Sequence, residues 1–168
     1  MLYQLDKKIF CFLYRMATNN HKVKNIMIHI TRISSKVYFM IYLFGSIFLL
    51  MNHKNQLLFF WLGPSISFVI GKYLRYKIKR KRPFVTLAIK THIAHQANGS
   101  LPSMHSVSAT AIGVAILLEF GPIGIVFIML AFLTGLSRVM VGVHYPLDIL
   151  FGGIIGGIVT YCVMSLYK

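Results

Sequence analysis

A segment near the carboxyl end of the chain places an arginine, a histidine and an aspartate among apolar residues. It runs from Ser137 to Asp148 and contains Arg138 and His144. A carboxylate four residues after a histidine lies one helical turn away, where it can accept the Nδ1 proton and leave Nε2 free to attack an electrophile. Arg138 carries a planar set of donors that suits a phosphate. The segment therefore predicts a nucleophilic imidazole beside a phosphate-binding guanidinium.

The composition indicates the medium in which these residues work. Hydrophobic residues make up 57% of the 168-residue chain and charged residues 12%, against roughly 25% charged in an average soluble domain. These values predict an integral membrane protein with a single domain, 1–168, whose helices themselves form the site. The 18 Lys and Arg against three acids call for an anionic partner. In a membrane protein, anionic headgroups or a phosphorylated lipid are favoured over nucleic acid.

Apolar periodicity predicts an all-α, multi-pass transmembrane helical bundle. A span needs about 20 mainly apolar residues, or somewhat fewer with partner helices, and five segments qualify. They are about 26–51, 57–74, 105–119, 122–137 and 147–166. The last one contains two overlapping pairs of glycines four residues apart, which let a neighbouring helix approach closely. These are Gly152, Gly153, Gly156 and Gly157.

The N-terminal segment, 1–25, has a different character. Apolar residues recur at helical spacing with basic residues between them, a pattern typical of an amphipathic helix lying in the membrane interface. A sixth span would need this segment to cross the bilayer, but its apolar part from Ile9 to Ala17 is short for that. We therefore expect five spans and an interfacial N-terminal helix.

The topology predicts where the polar residues meet. The connector between Arg75 and Met104 has no apolar run long enough to cross, so its two ends lie on one side of the membrane. A tight turn at Gly121 then makes the third and fourth spans antiparallel and returns the chain to that side. Seven residues converge there: Arg75, Arg82, Ser103, His105, Arg138, His144 and Asp148.

The basic run from Lys72 to Arg82 holds two groups of residues. Arg75 and Arg82 are seven apart, which places them on one helical face that we assign to the site. Four others are expected to form a solvated collar that binds anionic headgroups. That collar consists of Lys77, Lys79, Arg80 and Lys81.

Ser103 is well suited to be the N-cap of the third span, whose free N–H groups would face an anion close to His105.

His92 and His95 are three apart, but no cysteine or acid lies nearby, which favours a place at the pocket rim over a zinc site. The remaining histidines in apolar or terminal positions are read as structural.

Together these residues resemble the phosphatidic acid phosphatase type 2 (PAP2) superfamily of membrane lipid phosphatases, whose motifs are KxxxxxxRP, PSGH and SRxxxxxHxxxD. The third motif is matched in full by Ser137 to Asp148. The second is matched by Pro102 to His105, with Met104 in place of glycine. The first is matched by Arg75 to Pro83, with arginine in place of lysine. The resemblance covers about 71–157, which we take as the catalytic core.

The resemblance implies a mechanism. His144, oriented by Asp148, attacks phosphorus to form a phosphohistidine, and His105 protonates the leaving oxygen and then activates water. The non-bridging oxygens are held by Arg75, Arg82, Ser103, the Met104 amide and Arg138. Arginines and helix-end amides suffice for phosphoryl transfer, and the connector lacks the carboxylates that magnesium or calcium would need. We expect an enzyme without metal or other cofactor.

Within the family, the small size, the run from Arg82 to Val85 and the histidines that follow resemble bacterial undecaprenyl-diphosphate phosphatases of cell wall biogenesis. The expected reaction converts undecaprenyl diphosphate to undecaprenyl phosphate and phosphate. Alternative substrates are phosphatidylglycerophosphate, phosphatidate and a lipid A phosphate. An alternative of a different class is a non-catalytic protein that binds or transports anionic lipid.

Two signals disagree about the orientation in the cell membrane. The resemblance implies an extracytoplasmic site, whereas the positive-inside rule would place the basic N-terminus and the connector in the cytoplasm. Several charged residues of the connector are expected phosphate ligands, so they weaken the orientation signal that the positive-inside rule takes from the number of basic residues. We therefore expect the site on the extracytoplasmic face.

Overall fold

Helices are the only regular secondary structure in residues 2–166, the part of the chain that the computed structural model describes, and no strand occurs in that range. This confirms the all-α prediction. The helices are α1 (Leu2–Asn19), α2 (His21–Asn52), α3 (Lys54–Ile78), α4 (Pro83–Thr86), α5 (Met104–Phe120), α6 (Ile123–Met140) and α7 (Pro146–Ser165).

The five predicted spans correspond to five of these helices. By length and apolar composition, α2, α3, α6 and α7 can cross a membrane, and α5 is a shorter apolar helix of 17 residues. Helix α2 begins five residues before the predicted start because Asn20 caps it. The Asn20 Oδ1 accepts hydrogen bonds from the amides of Lys22 (3.0 Å) and Val23 (3.2 Å).

The chain crosses back and forth between two ends of the bundle. At one end, Thr18 in the last turn of α1 meets His92 of the connector, and the His92 amide donates to Val141 O (3.0 Å) in the loop between α6 and α7. At the other end, Phe48 of α2 packs edge-on against Phe120 of α5. The connector, the 141–145 loop and the amino ends of α2, α5 and α7 therefore share one end, which we call the polar end.

Helix α1 lies at the polar end and presents two faces. Asp6, Phe10 and Ala17 are buried against the bundle, whereas Ile9 and Phe12 are exposed. The helix is not apolar enough to be a span. Its exposed apolar side suits the acyl boundary of a bilayer, in agreement with the predicted interfacial helix.

Helix α7 packs closely on α5 through one of its two glycine pairs. A Cβ at Gly152 would lie 2.7 Å from Ser103 O, and a Cβ at Gly156 would collide with Val107 O. The second pair is less crowded, because a Cβ at Gly153 or Gly157 meets only side chains at 3.6 Å or more, those of Thr110 and, for Gly157, also Val114. The close approach lets the Ser103 amide donate to Asp148 O (2.9 Å) and so joins the amino ends of α5 and α7.

The two glycine pairs predict opposite responses to alanine. Gly152→Ala and Gly156→Ala force α7 away from backbone atoms of α5 and are expected to lower the free energy of unfolding by about 1–3 kcal/mol. Gly153→Ala and Gly157→Ala are matched controls on the same helix and should be neutral or stabilising, since alanine favours helix over glycine. Thermal unfolding of the detergent-solubilised variants measures the difference. Equal losses in both pairs would contradict this account of the packing.

Candidate active site

The His144 imidazole lies at the polar end between a carboxylate and a guanidinium. It follows α6 in the 141–145 loop and is 1% exposed. Its Nδ1 lies 3.3 Å from Oδ2 of Asp148, and its Nε2 lies 3.2 Å from Nη1 of Arg82. Because a guanidinium only donates, Nε2 is an acceptor and the ring proton resides on Nδ1. This tautomer leaves a lone pair on Nε2.

Burial decides the charge of this imidazole. Desolvation is the largest influence and lowers the pKa of His144 to about 4; the hydrogen bond to Asp148 raises it, and nearby Arg82 and Arg75 lower it further. The neutral ring is therefore the resident form at neutral pH. The Asp148 carboxylate taken alone favours the imidazolium, but burial outweighs it.

Arg82 is held on all sides by protein acceptors. Its side chain donates to Asn98 Oδ1 (2.7 Å), Asn98 O (3.0 Å) and Val143 O (2.9 Å), and the residue is 1% exposed. Burial lowers the pKa of Arg82 to about 10, and the nearby Arg75 contributes in the same direction. Arg82 thus fastens the connector to the 141–145 loop with one Nη1 proton directed at His144.

Helix α5 brings the second motif to the same place. Ser103 is its N-cap in extended conformation, and its buried Oγ has no partner among the described residues. The amides of Met104 and His105 lie in the first turn, where helical N–H groups lack intrahelical acceptors. His105 interacts electrostatically with Arg75, His95, Arg138 and His144, which places it in the same cluster.

Two further arginines border the cluster. Arg75, in the last turn of α3, donates through Nε to Pro102 O (3.0 Å) and through Nη2 to the same oxygen. Arg138, in the last turn of α6, donates through Nη2 to Thr31 O (3.2 Å), and its buried Nε has no partner among residues 2–166. The structure therefore brings all eight candidate residues to one end of the bundle.

Arg80 differs from the solvated collar expected from the sequence. Its side chain is 16% exposed and pairs with Asp148 (2.8 Å) and with Asp6 of α1 (2.5 Å). The collar assignment is wrong for Arg80, whereas Lys77, Lys79 and Lys81 are exposed as expected. Sequence reasoning also missed Asp6. The one sequence feature that could have drawn attention to Asp6 is the rarity of acidic residues, since it is one of only three acids in the chain.

The two histidines of the connector make different contacts. The His92 ring stacks on Tyr14 (5.2 Å between centroids) and its Nε2 lies 3.2 Å from Thr18 Oγ1, so it joins the connector to α1. His95 faces His144, with 6.4 Å between the two ring centroids. Desolvation lowers the pKa of His95, with Arg82 as the next cause.

No group of three or more His, Cys, Asp or Glu side chains within 2–166 is arranged to hold a metal ion. The donors at the polar end are instead guanidinium, imidazole, hydroxyl and amide groups. Such a set binds an oxyanion and stabilises negative charge that develops on it.

The comparisons with known proteins agree with this chemistry. The family model of the PAP2 superfamily matches residues 56–168, more than half of the chain. The chain belongs to the PAP2 superfamily. It is a multi-pass membrane phosphatase.

Two of its relatives carry different lipid names. The chain is 32% identical over 146 residues to the undecaprenyl-diphosphatase BcrC of Bacillus subtilis (strain 168), covering 87% of this chain and 76% of the relative. It is 33% identical over 108 residues to a lipid A 1-phosphatase of Rhizobium etli, covering 58% of this chain and 47% of the relative.

Solved structures share the fold. The crystal structure of Aquifex aeolicus LpxE aligns with a TM-score of 0.79 at 22% identity and covers 96% of this chain and 95% of its own. A transmembrane PAP2-type phosphatidylglycerolphosphate phosphatase from Bacillus subtilis aligns with a TM-score of 0.79 at 23% identity, covering 98% and 85%.

Proposed function

We propose that this phosphatase converts undecaprenyl diphosphate to undecaprenyl phosphate and phosphate through a phosphohistidine on His144. The observation that carries the proposal is the neutral, buried His144 with its proton on Nδ1 toward Asp148 and its Nε2 lone pair beside an arginine. The similarity to an undecaprenyl-diphosphatase over most of the chain supports the substrate.

The reaction proceeds in two displacements. Nε2 of His144 attacks the terminal phosphorus, the bond to the bridging oxygen breaks, and His105 gives that oxygen a proton. Water then attacks the phosphohistidine, His105 takes a proton from it, and the P–N bond breaks to release phosphate. Asp148 compensates the positive charge that forms on the His144 ring during the first step.

The phosphoryl oxygens are bound by donors that the protein leaves available. Ser103 Oγ and Arg138 Nε are buried without partners among the described residues, and the Met104 amide lies in the first turn of α5. Arg75 and Arg82 add positive charge; Arg75 donates to Pro102 O from Nε and Nη2 only, whereas Arg82 donates to protein acceptors from all three of its nitrogens. Positioning and charge of this kind carry phosphoryl transfer without a metal ion.

A lateral cavity of about 310 Å³ supports a lipid substrate. It begins at Met104 and His105 and extends between α2 and α5 to Tyr42 and Ile112. A second cavity, which shares Tyr42 and Ile112, continues it along Pro64 of α3. An apolar passage from the phosphate site into the helix bundle suits one isoprenoid chain. His95, facing His144, is placed to contact the second phosphate.

Lipid monophosphates form the second candidate class, because a lipid A 1-phosphatase is similar at the same identity over a shorter part of the chain. A non-catalytic lipid carrier is disfavoured by membership of a phosphatase family and by the complete third motif.

The nucleophile and the general acid predict different losses. His144→Ala should abolish turnover and leave no acid-labile phosphorylated enzyme to trap with radiolabelled substrate. His105→Ala should slow kcat by about 10²–10⁴-fold, the typical contribution of general acid–base catalysis, and less for substrates with good leaving groups. His53→Ala, at the opposite end of the bundle, is the control and should retain normal rates. Near-normal turnover of His144→Ala would refute the proposed nucleophile.

A substrate panel tests the lipid assignment. We expect kcat/KM to be highest for undecaprenyl diphosphate and lower for phosphatidylglycerophosphate, phosphatidate and lipid A phosphate, with phosphate release measured in detergent micelles. Excess EDTA should leave the rates unchanged, because the site uses arginines in place of a metal. A monophosphate ranking first would replace the substrate, and loss of activity on chelation would contradict the metal-independent mechanism.

We place the polar end on the extracytoplasmic face. Ala94 of the connector and Asn52 at the opposite end are both exposed, so each can carry a single cysteine in a background with Cys11 and Cys162 replaced by serine. An impermeant maleimide added to whole cells should label Ala94→Cys and not Asn52→Cys. The reverse pattern would put the site in the cytoplasm.

A further inference from the structure

The Arg80 guanidinium bridges two carboxylates at the polar end. Its Nη1 donates to Asp148 Oδ1 (2.8 Å) and its Nη2 donates to Asp6 Oδ2 (2.5 Å). The side chains of Asp6 and Asp148 are 1% and 0% exposed. The guanidinium also lies over the ring of Tyr145, 4.3 Å from its centroid. Two of the three acids in the chain therefore meet on one arginine.

Asp6 holds the amino end of α7 as well as Arg80. Its Oδ1 accepts a hydrogen bond from the Leu147 amide (2.9 Å), which lies in the first turn of that helix. A carboxylate is favourable at a helix amino end, where amides are unpaired and the dipole is positive. Phe10, one turn further along α1, packs edge-on against Tyr145 (5.3 Å between centroids). Helix α1 is thus attached directly to the residues around the nucleophile.

Both oxygens of the Asp148 carboxylate are held in place by hydrogen-bond partners. Oδ2 accepts from the Tyr145 amide (2.8 Å) and faces Nδ1 of His144 (3.3 Å), while Oδ1 accepts from Arg80. Rotation of the carboxylate would break one of these bonds. The charges alternate along the series Asp6, Arg80, Asp148 and the imidazolium that forms on His144. Asp6 offsets the Arg80 charge that would otherwise weaken the pull of Asp148 on His144.

We propose that Asp6 and Arg80 are positioning residues of the phosphatase site, which fix the Asp148 carboxylate and balance its charge so that it orients His144. The proposal rests on the function proposed above, and it makes the N-terminal helix part of the catalytic apparatus. Neither residue touches the reacting phosphoryl group. Both act through Asp148.

The charge balance predicts opposite effects on the titration of His144. The groups that face this imidazole are Asp148 of α7, Arg75 of α3, Arg82 and His95 of the connector and His105 of α5. Removing the Arg80 charge makes the electrostatic potential at His144 more negative, because Asp148 is no longer compensated. This favours the imidazolium and raises the pKa of His144. Removing the Asp6 charge leaves the positive charge of Arg80 uncompensated. This disfavours the imidazolium and lowers the pKa of His144.

The experiment compares Arg80→Gln, Arg80→Lys, Asp6→Asn and the double variant Asp6→Asn/Arg80→Gln, with Lys54→Gln and Glu119→Gln, both at the opposite end of the bundle, as charge-matched controls. In the wild type the acidic limb of kcat/KM should lie below pH 6.5, the ordinary value for histidine, because neutral His144 is the attacking form. We expect the limb to move to higher pH in Arg80→Gln and to lower pH in Asp6→Asn. In both single variants kcat should fall by about 10- to 100-fold, the range for lost outer hydrogen-bond partners, with KM within about twofold.

The remaining variants separate positioning from bulk stability. Arg80→Lys keeps the charge but loses the two-pronged geometry, so its acidic limb should stay near that of the wild type while kcat falls. The double variant removes both charges and should lose less than the product of the single losses. The controls should leave kcat, KM and the limb unchanged. Shifts of the limb in one common direction, no shift, or a loss carried by KM would overturn the proposal.

A second measurement keeps this proposal distinct from the proposed function. NMR titration of isotope-labelled imidazoles, assigned to His144 by comparison with His144→Ala, reports the same pKa in a protein that turns over no tested lipid. If the wild type is inactive but the two single variants still move the His144 titration in opposite directions, the proposed function fails and the charge balance stands. If the wild type is active and the titration does not move, Asp6 and Arg80 are not positioning residues.

Discussion

Burial of the Asp148 carboxylate at the end of a membrane bundle is the constraint on which the site depends. An ionised carboxylate removed from water is unfavourable unless hydrogen bonds and opposite charge replace its hydration. The Tyr145 amide, the His144 ring and the Arg80 guanidinium supply that replacement. Arg80 also pairs with a second anion, Asp6, on a helix more than 70 residues away in the chain. The position of α1 is therefore linked to the same carboxylate.

Close helix packing makes this arrangement possible. The Ser103 amide reaches Asp148 O because α7 carries glycine where it crosses the first turns of α5. That contact sets the amino ends of both helices side by side, one with the candidate general acid and the other with the carboxylate. Arg82 then joins the connector to the 141–145 loop through carbonyl oxygens on both. Three distant motifs become one site through backbone contacts that depend on small residues and one buried arginine.

Much of the fold followed from hydropathy and turn chemistry. The five apolar segments, the tight turn at Gly121 and the interfacial character of the N-terminal helix each rest on local patterns that a sequence displays directly. The convergence of the motif residues could also be predicted, because a connector that does not cross the membrane leaves few possible topologies. The start of α2 was harder to place, since Lys22 and Lys24 interrupt the apolar pattern although Asn20 caps the helix there.

Arg80 and Asp6 show why the rest of the site could not be predicted from the sequence. In a run of seven basic residues among eleven, nothing in the spacing separates Arg80, which pairs with two acids, from Lys79 or Lys81, which remain exposed. The distinction arises where α3 ends: Lys79 adopts the left-handed conformation, and the direction of the chain beyond it brings Arg80 against Tyr145. Burial has the same long-range origin at His144, where the neighbouring carboxylate alone would favour an imidazolium and desolvation favours the neutral ring. A neutral ring needs no separate base to release its Nε2 lone pair, so the same burial prepares His144 for the nucleophilic role that we propose for it.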